Sequence, residues 1–244
     1  MHFTTETSSN GVVEHTFTVR DITGVLWSSA AGSERAPLVL LGHGGGQHKK
    51  APGNVARARQ FVTDHGFAVA AIDAPGHGDR PRTAADEQHV AAVRQAQSSG
   101  EPLLPIVIGY NTSVAERAVP EWRATLDALQ ELPEIGPAGP VFYWGVAMGT
   151  AIGVPLTAVE PRIKAAAFGM LGHESLMDAA AKITVPVHFL LEWEGGHVPR
   201  QSGLALFEAF ATKDKTLHAY PGAHLQRIPA YELESAARFF VRHI

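Results

Sequence analysis

The chain has 244 residues, a formal net charge of −4 and no cysteine. Disulfides, thiol catalysis and thiolate metal sites are therefore excluded, and there is no basic footprint for nucleic acid. No apolar stretch is long enough to span a membrane, and the first residues lack the basic start and apolar core of a signal peptide, so a soluble cytoplasmic protein is expected.

In chain order, residues 12–29 alternate Thr, Val and Phe with polar residues and predict two antiparallel strands joined near 21–24. The pattern then changes. Pro37-Leu38-Val39-Leu40-Leu41 is a continuous apolar run ending in glycines, and runs of the same kind recur at 67–72, 141–144, 163–168 and 185–191. Such runs suit parallel strands buried on both faces. Between them, apolar residues fall at helical spacing over 54–65 (Val55, Ala58, Phe61, Val62), 121–132 (Trp122, Leu126, Leu129), 202–212 and 231–243. A strand at 215–220 closes one edge of the sheet. Residues 79–118 contain no buried strand. Residues 84–98 are alanine-rich and helical in pattern, 100–105 breaks the helix, and a second helical piece follows. This stretch reads as a small lid inserted over the active-site edge, with an elaborate surface crossover as the alternative. The whole predicts one α/β domain, 1–244, on a mostly parallel, doubly wound sheet.

In such sheets ligands bind at the carboxyl ends of the strands, so the residues after each apolar run carry the functional reading. After the run ending at Leu41 comes Gly42-His43-Gly44-Gly45-Gly46, and after Ile72 comes Asp73-Ala74-Pro75-Gly76-His77-Gly78. After Trp144 comes Gly145-Val146-Ala147-Met148-Gly149, after Leu191 comes Glu192-Trp193-Glu194-Gly195-Gly196-His197-Val198-Pro199, and after the last strand comes Tyr220-Pro221-Gly222-Ala223-His224. Neither phosphate-loop spacing nor H-E-x-x-H is present. His43, His48 and His77 lack ligand spacing, and neither a metal nor a cofactor is expected.

These five loops, in this order, resemble those of the α/β-hydrolase fold superfamily. The resemblance covers nearly the whole chain and is weakest over 79–118. The glycine-flanked turn resembles the G-x-S-x-G nucleophile elbow, with Ala147 in the serine place. The His-Gly loop resembles the loop that supplies part of the oxyanion hole, which implies Gly45, or its neighbour Gly44, and Met148 as backbone donors. The D-x-P-G-H-G run is read as shaping the rim. The last loop resembles the catalytic histidine loop, which implies His224 as general base. The acid departs from the pattern: the family Asp falls three residues before Val198-Pro199, where Gly195 stands. Glu194 is the preferred substitute, with Glu192 and Glu174 as alternatives. His43, Gly44, Trp193, Met170 and Tyr110 are expected around the substrate, an apolar acyl or aromatic ester, thioester or lactone. The expected partner is that small molecule, and nothing opposes a homodimer.

Alanine has neither a nucleophile nor a proton to give, so acyl transfer through position 147 is excluded in this chain. Either a serine enzyme has had its nucleophile replaced, or the chain is a natural pseudoenzyme that binds a ligand. A lyase or cyclase using His224 as base is a third reading. Survival of the glycine loop, elbow glycines and histidine loop favours the first.

Overall fold

A computed structural model describes residues 1–32, 35–195, 198–222 and 228–244. Among them lies one nine-stranded sheet, in the order β1-β2-β3-β5-β4-β6-β7-β8-β9. β2 (Val12–Val19) and β3 (Ile22–Ser29) form the expected antiparallel pair, turning at Arg20 and Asp21. β1 (His2–Ser9) adds an edge strand that the periodicity did not announce. Every residue of β1 is exposed, so it has no apolar face to reveal it and is held by its ladder to β2.

β3 runs antiparallel to β5 (Ala68–Ile72). From there β4 (Leu38–Leu41), β6 (Val141–Trp144), β7 (Ile163–Gly169), β8 (Val187–Glu192) and β9 (Lys215–Tyr220) are parallel. Every residue of β4, β5, β6 and β8 is buried, which is why they read as unbroken apolar runs rather than alternating ones.

The alternation is instead between two cores. Leu38, Leu40, Tyr143, Phe168 and Phe189 face one side. There they meet α3 (Leu104–Leu129), α4 (Met148–Val159) and α6 (Arg200–Ala209) through Val114, Trp122, Ile152 and Leu206. Val39, Leu41, Phe142 and Trp144 face the other side, against α1 (Pro52–His65) and α7 (Ala230–Val241). Phe142 stacks on Phe240 at 5.0 Å between ring centroids, and Phe240 stacks on Phe61 at 5.9 Å. One aromatic column thus joins the sheet to both helices of that face.

Residues 79–118 contain α2 (Ala84–Ser99) and the first half of α3, and no strand. The helix expected at 121–132 is the second half of α3, which runs through Pro120 without ending. A proline inside a helix removes one hydrogen bond and crowds the preceding turn. Here Val114, Ala115, Ala118, Trp122, Leu126 and Leu129 bury one continuous stripe on both sides of it, and that packing overrides the break. A 3-10 turn at Glu174–Leu176 and the short α5 (Met177–Ala180) complete the described elements and were not foreseen.

Candidate active site

The chain runs from β4 outward to β5 on one side and, much later, to β6 on the other. The strand order therefore reverses between β4 and β6, and the loops leaving their carboxyl ends lie side by side. Gly42 N–H donates to Trp144 O at 2.8 Å, fastening the His-Gly loop beside the elbow.

Ala147 sits between β6 and α4 with φ 53° and ψ −118°. A non-glycine residue in this region is strained, and such strain persists only where the surroundings over-determine it. They do so here. Ala147 N–H donates to Gly169 O at 2.9 Å, and its carbonyl accepts from Thr150 and Ala151 at 2.9 and 3.1 Å. The buried Thr150 hydroxyl lies 3.0 Å from Gly145 O and 2.7 Å from Gly169 O, and accepts the Gly169 N–H at 2.9 Å. Tyr143 Oη donates to Gly149 O at 2.7 Å. A side chain at Gly145 would come within 2.8 Å of the Gly149 backbone, so the turn closes only with glycine there.

Met148 opens α4, and the first N–H groups of a helix have no intrahelical acceptor. A methyl group placed on Gly45 would stand 4.0 Å from Met148 Cβ, so the two expected donor residues are neighbours. His43 holds their loop. It is buried, donates from Nδ1 to Gly44 O at 2.9 Å and accepts the Ala74 N–H on Nε2 at 3.0 Å. Burial is the main cause that pushes its pKa down to about 4. It is therefore a neutral strut between the loops after β4 and β5, and neither ring nitrogen is left for substrate or metal.

A second tie was not legible. Lys49, almost wholly buried, reaches Asp73 at 2.5 Å and Asp79 at 2.6 Å, while Asp73 also accepts the Lys49 and Asp79 N–H groups at 2.8 and 3.0 Å. Burial alone would raise the Asp73 pKa, but the Lys49 and Asp79 donors outweigh it and hold the carboxyl below its usual range. Gly78, at φ +57°, leaves no room for a side chain against Asp73, which accounts for the last glycine of D-x-P-G-H-G.

No known family model matches the chain, and no curated protein matches it. Solved structures do match. A cold-adapted esterase from an Arctic intertidal metagenomic library, seen in complex with polyethylene glycol, is 33% identical over 100% of both chains with a TM-score of 0.78. The chain belongs to the α/β-hydrolase fold superfamily. A zinc-bound structure of a cold-adapted esterase from such a library is 30% identical, with a TM-score of 0.72 over 100% of this chain and 99% of that one. A dienelactone hydrolase from Anabaena variabilis, 19% identical with a TM-score of 0.67 over 96% of this chain, shares the fold.

His224 lies outside the described residues. Glu192 is buried at the carboxyl end of β8 and pairs in register with Tyr220, the last residue of β9. Glu194 is exposed in the following loop, and Glu174 is exposed at the start of the 3-10 turn. Gly195, at the position where the resemblance leads one to expect the acid, has φ +80°, a conformation that favours glycine. Trp193 is half-exposed, with the Arg200 guanidinium 4.3 Å from its ring centre. Met170 follows β7 at φ 56° and donates its N–H to Leu190 O. Tyr110 is turned to α2: its hydroxyl donates to Asp86 at 3.0 Å and its ring stacks on His89 at 3.7 Å.

A cavity of about 350 Å³ opens between α3, α4 and the segment after β7. Ile108, Ala115, Val119, Ala151, Leu171 and Leu176 give it a largely apolar wall. Ala151 is one helical turn beyond Ala147, so the cavity begins beside the elbow rather than at it.

No helix among the described residues is long and apolar enough to cross a membrane.

Proposed function

We propose that this chain is the scaffold of a serine-type hydrolase for small carboxylic esters, thioesters or lactones, standing here with alanine at the nucleophile position and inactive in acyl transfer. The observation that carries the reading is the backbone of Ala147. A strained elbow costs folding energy, and its use is to lift one side chain above the sheet beside two peptide donors. The esterases at 30–33% identity and the apolar cavity support an ester-like substrate.

With serine restored at 147, its hydroxyl attacks the substrate carbonyl while His224 takes the proton. The Gly45 and Met148 N–H groups receive the developing oxyanion, and water then releases the acyl group. We assign the acid to Glu192 ahead of Glu194. A carboxylate that orients an imidazole works best when fixed and shielded, and Glu192 is buried whereas Glu194 is open to solvent. The apolar cavity takes the acyl or alcohol portion.

The test is Ala147→Ser assayed on a small activated ester such as p-nitrophenyl acetate. Hydrolysis should rise on the order of 10³-fold or more over the parent chain. In that background Glu192→Gln should lower kcat by about 10²-fold or more, and Glu194→Gln should change it little. No gain from Ala147→Ser, with circular dichroism and melting unchanged, contradicts the proposal. It selects instead a ligand-binding pseudoenzyme, the reading favoured by Gly195 standing at the family's acid position together with Ala147.

A further inference from the structure

On the α7 face of the sheet, two and three strands over from the elbow strand β6, three metal-ligating side chains meet. His188 comes from the second position of β8, His218 from the neighbouring β9, and Glu232 from the first turn of α7. One ligand atom from each lies within 4.8 Å of the other two. His188 and Glu232 are buried, and His218 is partly exposed at the rim.

Two observations set this group apart from a packed histidine pair. His188 is 1% exposed and its Nε2 has no hydrogen-bond partner among the described residues. Its other nitrogen has only Thr216 Oγ1 at 3.4 Å. A buried ring nitrogen left without a partner is costly, so something is expected to occupy it. Second, the neighbours are already arranged as ligands and supports. His218 Nδ1 is 2.9 Å from Glu232 Oε2 and 3.4 Å from Ser235 Oγ, and the two imidazoles are 4.3 Å apart between ring centres.

We infer that His188, His218 and Glu232 form a site for a divalent transition metal, Zn²⁺ by its donor set, which pins α7 to the β8–β9 edge of the sheet. Two imidazoles and one carboxylate are borderline ligands that suit Zn²⁺. Tetrahedral Zn²⁺ takes such donors at about 2.0–2.2 Å, and the partly exposed side at His218 leaves its fourth position to water. On binding, the metal takes the lone pairs of both imidazoles and one Glu232 oxygen. If it uses His218 Nδ1, the proton there moves to Nε2, so no proton need leave the protein. This departs from the sequence expectation of no metal. The three residues are 30 and 14 positions apart, and only the β8–β9 register and the start of α7 bring them together.

The test uses the parent Ala147 chain, so it does not depend on ester chemistry. After treatment with EDTA and dialysis, Zn²⁺ is titrated against the protein with a competing chromophoric chelator. One equivalent should bind, and Zn²⁺ at 100-fold over its Kd should raise the Tm by roughly 5–10 °C. His218→Gln and Glu232→Gln should each weaken that equivalent at least tenfold. Because 13 histidines offer adventitious sites, zinc-edge anomalous scattering from crystals of the unaltered chain gives the location, and a peak among His188, His218 and Glu232 is expected. No tight equivalent, an affinity unchanged by either variant, or a peak elsewhere overturns the proposal.

Discussion

At the scale of single residues, the site is held by side chains that do no chemistry. Lys49 and Asp73 are both buried, and each satisfies the other while tying the loop after β4 to the loop after β5. Breaking a buried pair from one side leaves an uncompensated charge, which typically costs about 3–5 kcal/mol. Asp79 remains as a second, exposed partner for Lys49 and softens that cost. Asp73→Asn should therefore lower unfolding free energy by about 2–4 kcal/mol, read from urea denaturation with an unchanged m-value. A loss below about 1 kcal/mol would show that Asp79 suffices and that the tie is weak. The elbow could be read from sequence because its glycines are spaced by steric need. The Lys49–Asp73 pair could not, since a lysine 24 positions from an aspartate carries no local pattern. His43 was legible as a member of the loop but not in its role, because the Ala74 N–H that occupies Nε2 comes from another strand's end.

At the scale of elements, the sheet was legible because strands buried on both faces must be apolar throughout. The parallel strands fell where the runs predicted them, with ends differing by a residue or two. β1 was not legible, since an exposed edge strand has no apolar face, and α3 was divided between the 79–118 stretch and the 121–132 helix although its packing runs through Pro120. The face carrying α1 and α7 depends on the column Phe61–Phe240–Phe142. Phe240 is fully buried there. Phe240→Ala should cost about 3–5 kcal/mol, seen as a lowered urea midpoint, through lost burial and the cavity left behind. A cost near 1 kcal/mol would mean that α7 repacks and is not fixed by this column.

At the scale of the whole molecule, pH is the handle. His43 titrates near 4 in the folded chain because burial disfavours its charged form; the Gly44 acceptor opposes this and His77 adds to it. In the unfolded chain its pKa returns to about 6.5. Between those values the unfolded state takes up a proton that the folded state refuses, so stability is full above pH 6.5 and falls as pH drops toward 4. The contribution is about 3 kcal/mol. Melting temperature should decline from pH 7 to pH 4.5, and His43→Asn, starting from a lower Tm, should flatten that decline. An equal slope in both proteins would place the acid sensitivity elsewhere.

The proposed hydrolase depends on the turn at 147 presenting a side chain to two peptide donors above the sheet. The most direct measurement is intact-mass and peptide mapping of Ala147→Ser after reaction with a fluorophosphonate. One adduct per chain is expected, on the peptide carrying position 147, and none on the parent protein. An unlabelled, folded variant, or an equal adduct on the parent, would contradict it.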